Sequence, residues 1–124
     1  MFKVDPDLMY IYITRGDSAG IIFSAEDEEG EEFHPTEGDK LIFGAAKKVG
    51  DEPLIRIENT MASNEEDFWL IHFSPEDTKD LSFGKYAFDV EIQIWESGAM
   101  VDKDTIIGKT DTLSPTLTIW GEVV

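Results

Sequence analysis

Apolar and polar residues that alternate, turn residues at short intervals and the lack of any long helical period predict an all-β fold. In a chain of 124 residues the pattern reads as an immunoglobulin-like antiparallel β-sandwich of about seven to eight strands with one short helical turn. Strict alternation marks strands that bury one face and wet the other, and two facing sheets would close the core.

The elements follow in order along the chain. Residues 8–14 form the first strand, with Met9, Ile11 and Ile13 on one face and Tyr10, Tyr12 and Thr14 on the other; Arg15, Gly16 and Asp17 make its exit. Residues 20–25 are the next, around Ile21, Ile22 and Phe23. An acidic stretch at 26–32 and a polar loop at 33–39 lead to a strand at 40–47. Gly50 and Asp51 turn the chain into 54–58, where Ile55 and Ile57 alternate with Arg56 and Glu58. After a polar connection at 59–66, residues 67–73 are apolar enough for a strand covered on both faces.

Next comes the helical turn. Ser74 is a natural cap, Pro75 suits the first helical position, and Glu76 and Asp77 favour the positive helix N-terminus. A turn at 82–84 opens the clearest strand, with Tyr86, Phe88, Val90, Ile92 and Ile94 on one face and Lys85, Asp89, Glu91 and Gln93 on the other. A loop around Ser97 and Gly98, a short strand at 105–108 and a closing strand at 117–123 complete the chain.

Length and composition bound the function. One domain spanning 1–124 is expected, with a single core built from eight Phe, three Trp and three Tyr. Apolar runs such as 41–46 are far too short to span a bilayer, and the opening MFKVDPDL lacks the apolar region of a secretory signal. No cysteine is present, which excludes a disulfide scaffold and cysteine-ligated metals and fits synthesis in the cytoplasm. The net charge of −17 repels phosphate backbones and anionic membrane surfaces, so neither nucleic acid nor membrane is an expected partner.

Chemistry is sparse. The two histidines, His34 and His72, have no ligand spacing between them, and no serine sits in a Gly-x-Ser-x-Gly elbow. With 27 acids, carboxylate pairs are too common to mark a hydrolase. Asp27, Glu29 and Glu31 are candidate calcium ligands by chemistry, but they lack EF-hand spacing; a solvated hairpin tip is the simpler reading. Arg15–Gly16–Asp17 spells a short adhesion motif and also makes an ordinary turn. Trp95 and Trp120 fall on the phase opposite to the best apolar faces of their strands, which makes them interface candidates. These features favour binding over catalysis: no enzyme and no cofactor are expected.

Taken together, the Gly-Asp after the first strand, the acidic hairpin, Ser74–Pro75–Glu76–Asp77–Thr78 and Gly84–Lys85–Tyr86–Ala87–Phe88–Asp89–Val90–Glu91 form a wider pattern. It resembles the small immunoglobulin-like domains of phage and prophage tails, most nearly the N-terminal domain of the baseplate upper protein family. Ser82–Phe83–Gly84 stands where that family has Pro-Gly, Phe88 where Tyr is common, and the 97–112 region is longer. The resemblance implies a virion component of a tail, baseplate or neck, synthesised in the bacterial cytoplasm, docking onto other virion subunits or onto itself as a homo-oligomer. The rival expectations are a carbohydrate-binding or adhesin module of a bacterial surface, and a calcium-dependent module.

Overall fold

The computed structural model describes residues 3–4, 9–23, 25–26, 29–31, 38–60, 69–110 and 114–121. Its elements run β1 (Lys3–Val4), β2 (Tyr10–Thr14), β3 (Ala19–Phe23), β4 (Ala25–Glu26), β5 (Lys40–Ala46), β6 (Ile55–Thr60), β7 (Trp69–Phe73), α1 (Pro75–Thr78), β8 (Gly84–Glu96), β9 (Ala99–Ile107) and β10 (Thr116–Trp120). Among the described residues, eight of the ten strands have five or more residues, and the fold is the all-β, immunoglobulin-like sandwich that the alternation predicts.

Strand β8 organises the larger sheet. Its 13 residues hold β5 along one edge and β10 and β9, end to end, along the other. Adding β6 beyond β5 and β2 beyond β10 gives the order β2-β10-β8-β5-β6. The sheet is mixed, not wholly antiparallel, because β2 and β10 run parallel. Strand β8 reverses at Ser97–Gly98, so the returning chain takes the direction of β2 when it reaches that edge. The facing layer is the antiparallel pair β3–β7, and β1–β4 form a short ladder of their own.

Alternation places the core as expected. Ile11 and Ile13 from β2, Leu41 and Phe43 from β5, Tyr86 through Ile92 on even positions of β8, and Leu117 and Ile119 from β10 all bury inward against Ile71 and Phe73. The centre is aromatic. Phe43 stacks on Phe88 with ring centroids 5.2 Å apart and meets Phe73 edge-on at 5.0 Å. In antibody domains the residue two positions after the corner tyrosine is a disulfide cysteine packed by a strand-C tryptophan. Here Phe88 holds the first of those places and Phe43 packs against it, so ring contact stands where covalent bridging would.

The corner itself is a tyrosine corner. The buried Tyr86 hydroxyl donates to the Ser82 carbonyl at 2.6 Å and lies 3.1 Å from the Ser82 hydroxyl. Just upstream, α1 is the predicted helical turn. The Asp77 carboxylate accepts from the Ser74 backbone N–H at 2.8 Å, closing its first turn. Thr78, fully buried, accepts the Gly16 N–H at 2.9 Å. Arg15 donates to the Leu81 carbonyl and lies 4.0 Å over the Phe83 ring. Arg15–Gly16–Asp17 is thus a turn pinned to the α1 corner, with Gly16 at φ +82° where glycine is favoured.

Strand β9 corrects the expectation of a short strand at 105–108. It begins at Ala99, directly after a two-residue turn in which Ser97 and Gly98 both have positive φ, the backbone of a tight hairpin. Its register against β8 slips at Val90/Glu91 and at Ile94/Trp95, leaving Ile106 and Val101 as extra residues. The first slip explains why Ile106 and Ile107 are both buried although adjacent. Met100 and Val101 lie exposed on the projecting half of the hairpin.

Candidate functional site

The outward face of the large sheet holds the features that core packing does not explain. Cross-strand register builds it in rows: Ala46, Ala87, Thr116 and Tyr10 form one, and Lys85, Thr118 and Tyr12 form the next. Trp120 then pairs with Thr14. Tyr10, Tyr12 and Trp120 are 55%, 64% and 55% exposed, and the Tyr12 and Trp120 rings lie 6.1 Å apart at 51°. Three large aromatics therefore crowd the β2–β10 corner of one face, with Phe83 also exposed nearby under Arg15. A Cβ at Gly121 would come within 2.7 Å of the Phe83 ring, so glycine lets that ring lie against the end of β10.

Trp120 is where the sequence phase places it. Trp95 is on the predicted face but is half-buried and engaged. Its indole N–H donates to Gln93 Oε1 at 3.0 Å, and the Lys40 ammonium sits 4.3 Å over its ring. Its backbone N–H donates to Oδ1 of the buried Asp39 at 3.1 Å, so a side chain continues the ladder just before β5 begins. Tyr10 and Tyr12 are legible as the polar-phase aromatics of the first strand, and the contact of Tyr12 with Trp120 across a parallel ladder is not.

Charge on this face is sorted by position. In its upper half Lys40 and Arg56 both pair with Glu58, at 3.1 and 3.3 Å, and Lys103 reaches Glu91 at 3.6 Å. Lys40, aided by Arg56, holds the Glu58 carboxyl below its ordinary value. Asp89 moves the other way. A Cβ on Gly44 would lie 3.3 Å from its Oδ1, so although the side chain is exposed its carboxylate sits close over the sheet. Desolvation there, then the nearby Glu91, push its carboxyl up. In the lower half a cleft of about 320 Å³ is lined by Lys47, Lys48, Lys85 and Lys109.

The remaining candidates are dispersed. Glu29 and Glu31 are exposed beside Gly30, while Asp27 and His34 lie outside the described residues. His72 is exposed on β7 between buried Ile71 and Phe73. Among the described residues, no group of three or more His, Cys, Asp or Glu residues is placed to hold a metal ion. No helix among them is long and apolar enough to cross a membrane. Comparison with protein-family models, curated proteins and solved structures returns no match for this chain. The site must be read from its own geometry.

Proposed function

We propose that this chain is a non-enzymatic docking subunit of a phage or prophage particle, acting by protein–protein association through the outward face of its large sheet. The observation that carries the docking reading is the exposed corner of Tyr10, Tyr12 and Trp120. Large aromatics standing in water on a regular strand have no role in the core behind them, and they are the residue types that anchor interfaces. The occupant is a neighbouring virion subunit that lays apolar side chains over these rings. The setting in a tail, baseplate or neck rests on the sequence resemblance given above.

Geometry favours docking over sugar binding. A sugar platform needs a flat, open ring, whereas Lys40 covers one face of Trp95 and the Tyr12 and Trp120 rings are tilted. The test has two parts. Tail, tape-measure or lysis genes are expected beside the gene for this chain, and mass spectrometry of particles purified after induction of the host should find the chain. Tyr12→Ser with Trp120→Ser should remove it from particles while the free protein stays folded. Complete particles that lack the chain, or that retain the double variant in full, defeat the reading.

A further inference from the structure

Lys47, Lys48, Lys85 and Lys109 are four of only ten cationic residues in a chain with 27 acids. In so acidic a protein an exposed lysine finds a carboxylate readily, and the other cations of this sheet face do: Lys40, Arg56 and Lys103 are all ion-paired. Among the described residues, none of the four cleft lysines makes an ion pair within 4.0 Å. The Lys47 ammonium lies 4.7 Å over the ring of the inward-facing Tyr86, which leaves Lys48, Lys85 and Lys109 as the free cations of the outward cleft.

The cleft has a cause in the fold. Strands β9 and β10 occupy the same edge of β8, but β9 stops opposite Val90 and β10 resumes opposite Ala87. Lys109 and Pro115 make one wall, and the Pro115 carbonyl accepts the Phe88 N–H at 3.3 Å. The turn carrying Lys48 and Val49 makes the opposite wall. Between them lie small side chains: Ala87 lines this cleft, and Ala46 and Gly44 line the next. That adjoining cleft, about 110 Å³, shares Lys48 and Lys109 with the first and opens in turn onto one of about 240 Å³ that reaches Arg56 and Glu91. The result is a groove across the sheet, cationic at one end and lined beyond it by Asp51, Asp89 and Glu91, so carboxylates of a bound segment belong at the lysine end.

We propose that this groove receives an extended segment of the docking partner, with its carboxylates among Lys48, Lys85 and Lys109. This inference rests on the docking reading and names the chemistry of the partner. The groove adjoins the aromatic corner, since Lys85 and Tyr12 flank Thr118 in one row. Three clefts that share lining residues offer a polypeptide strand a continuous path, whereas a lone anion would occupy only the lysine end. The strongly negative remainder of the surface disfavours an extended polyanion such as a nucleic acid or an anionic membrane, whereas a few carboxylates can be confined to the lysine end.

The test is an amide NMR titration of the full chain with an acetylated hexaglutamate peptide, and separately with inorganic phosphate, in about 50 mM salt. Saturable shifts are expected at residues 44–48, 85–89, 107–110 and 114–116, with phosphate weaker and confined to the lysine end. Lys48→Glu with Lys109→Glu should weaken peptide binding at least about tenfold, and Lys48→Gln with Lys109→Gln by less, both with native spectra. Absent or scattered shifts, unchanged binding by the charge-reversed variant, or phosphate binding as tightly as peptide overturns the proposal. Tyr12→Ser with Trp120→Ser should leave hexaglutamate binding intact, so the groove and the aromatic corner fail independently.

Discussion

At the scale of single residues, two buried polar contacts hold what apolar packing leaves loose. The Tyr86 hydroxyl ties the start of β8 to the Ser82 backbone, locking the crossing from the facing layer into the large sheet. Tyr86→Phe keeps the buried ring and deletes only that bond, so a loss of about 1 kcal/mol in urea unfolding is expected. Asp39 is the second. Asp39 is itself buried and its carboxylate takes the Trp95 N–H, a donor that Asp39→Ala leaves without this partner. The expected cost is about 1–3 kcal/mol, and Asp39→Asn, whose carbonyl can still accept, should recover part of it. A null effect of Asp39→Ala on the urea midpoint would show that water or a shifted strand end satisfies Trp95 equally well.

At the scale of elements, legibility followed periodicity. Strands β2, β5 and β8 alternate cleanly because each has one face on the core, and the sequence phase of Ile11, Phe43 and Val90 is the structural one. Strand β9 was mostly hidden. Its outer half buries nothing, and its two register slips break the period of two that would have announced it. The lysine groove was hidden for a different reason, since Lys47, Lys85 and Lys109 come from three separate segments that only the sheet order brings together. On the same sheet, Asp89 and Glu58 should report opposite pH slopes. Asp89 keeps its proton to higher pH when folded, so its contribution to stability falls as pH rises from the unfolded value through the raised one. Glu58 is held low, so its contribution is present above the unfolded value and is lost as pH falls through the lowered one. Urea unfolding from about pH 3 to about pH 7 should therefore show Asp89→Asn gaining on the native chain as pH rises. Glu58→Gln should lose ground over the same range, and parallel profiles for the two variants would contradict the assignment.

At the scale of the whole molecule, an aromatic core without disulfides works against a surface of one sign. A folded chain of this length has a radius of gyration of about 14 Å. The Debye length is about 30 Å at 0.01 M salt, so at that ionic strength nearly every pair of its 27 acids interacts. At 0.15 M it shrinks to about 8 Å, and only neighbours do. Unfolding spreads the charges apart, so self-repulsion penalises the compact state and screening should relieve it. The four ion pairs among the described residues are surface pairs that salt weakens, and their small worth is set against a net charge of −17. Raising NaCl from about 0.01 M to about 0.15 M should therefore raise the melting temperature by a few degrees, most of the gain arriving before Hofmeister effects set in. The charge-reversed Lys48→Glu, Lys109→Glu chain, more negative still, should start lower and gain more. A melting temperature that falls with salt in both chains would mean that the surface pairs, and not the net field, govern stability.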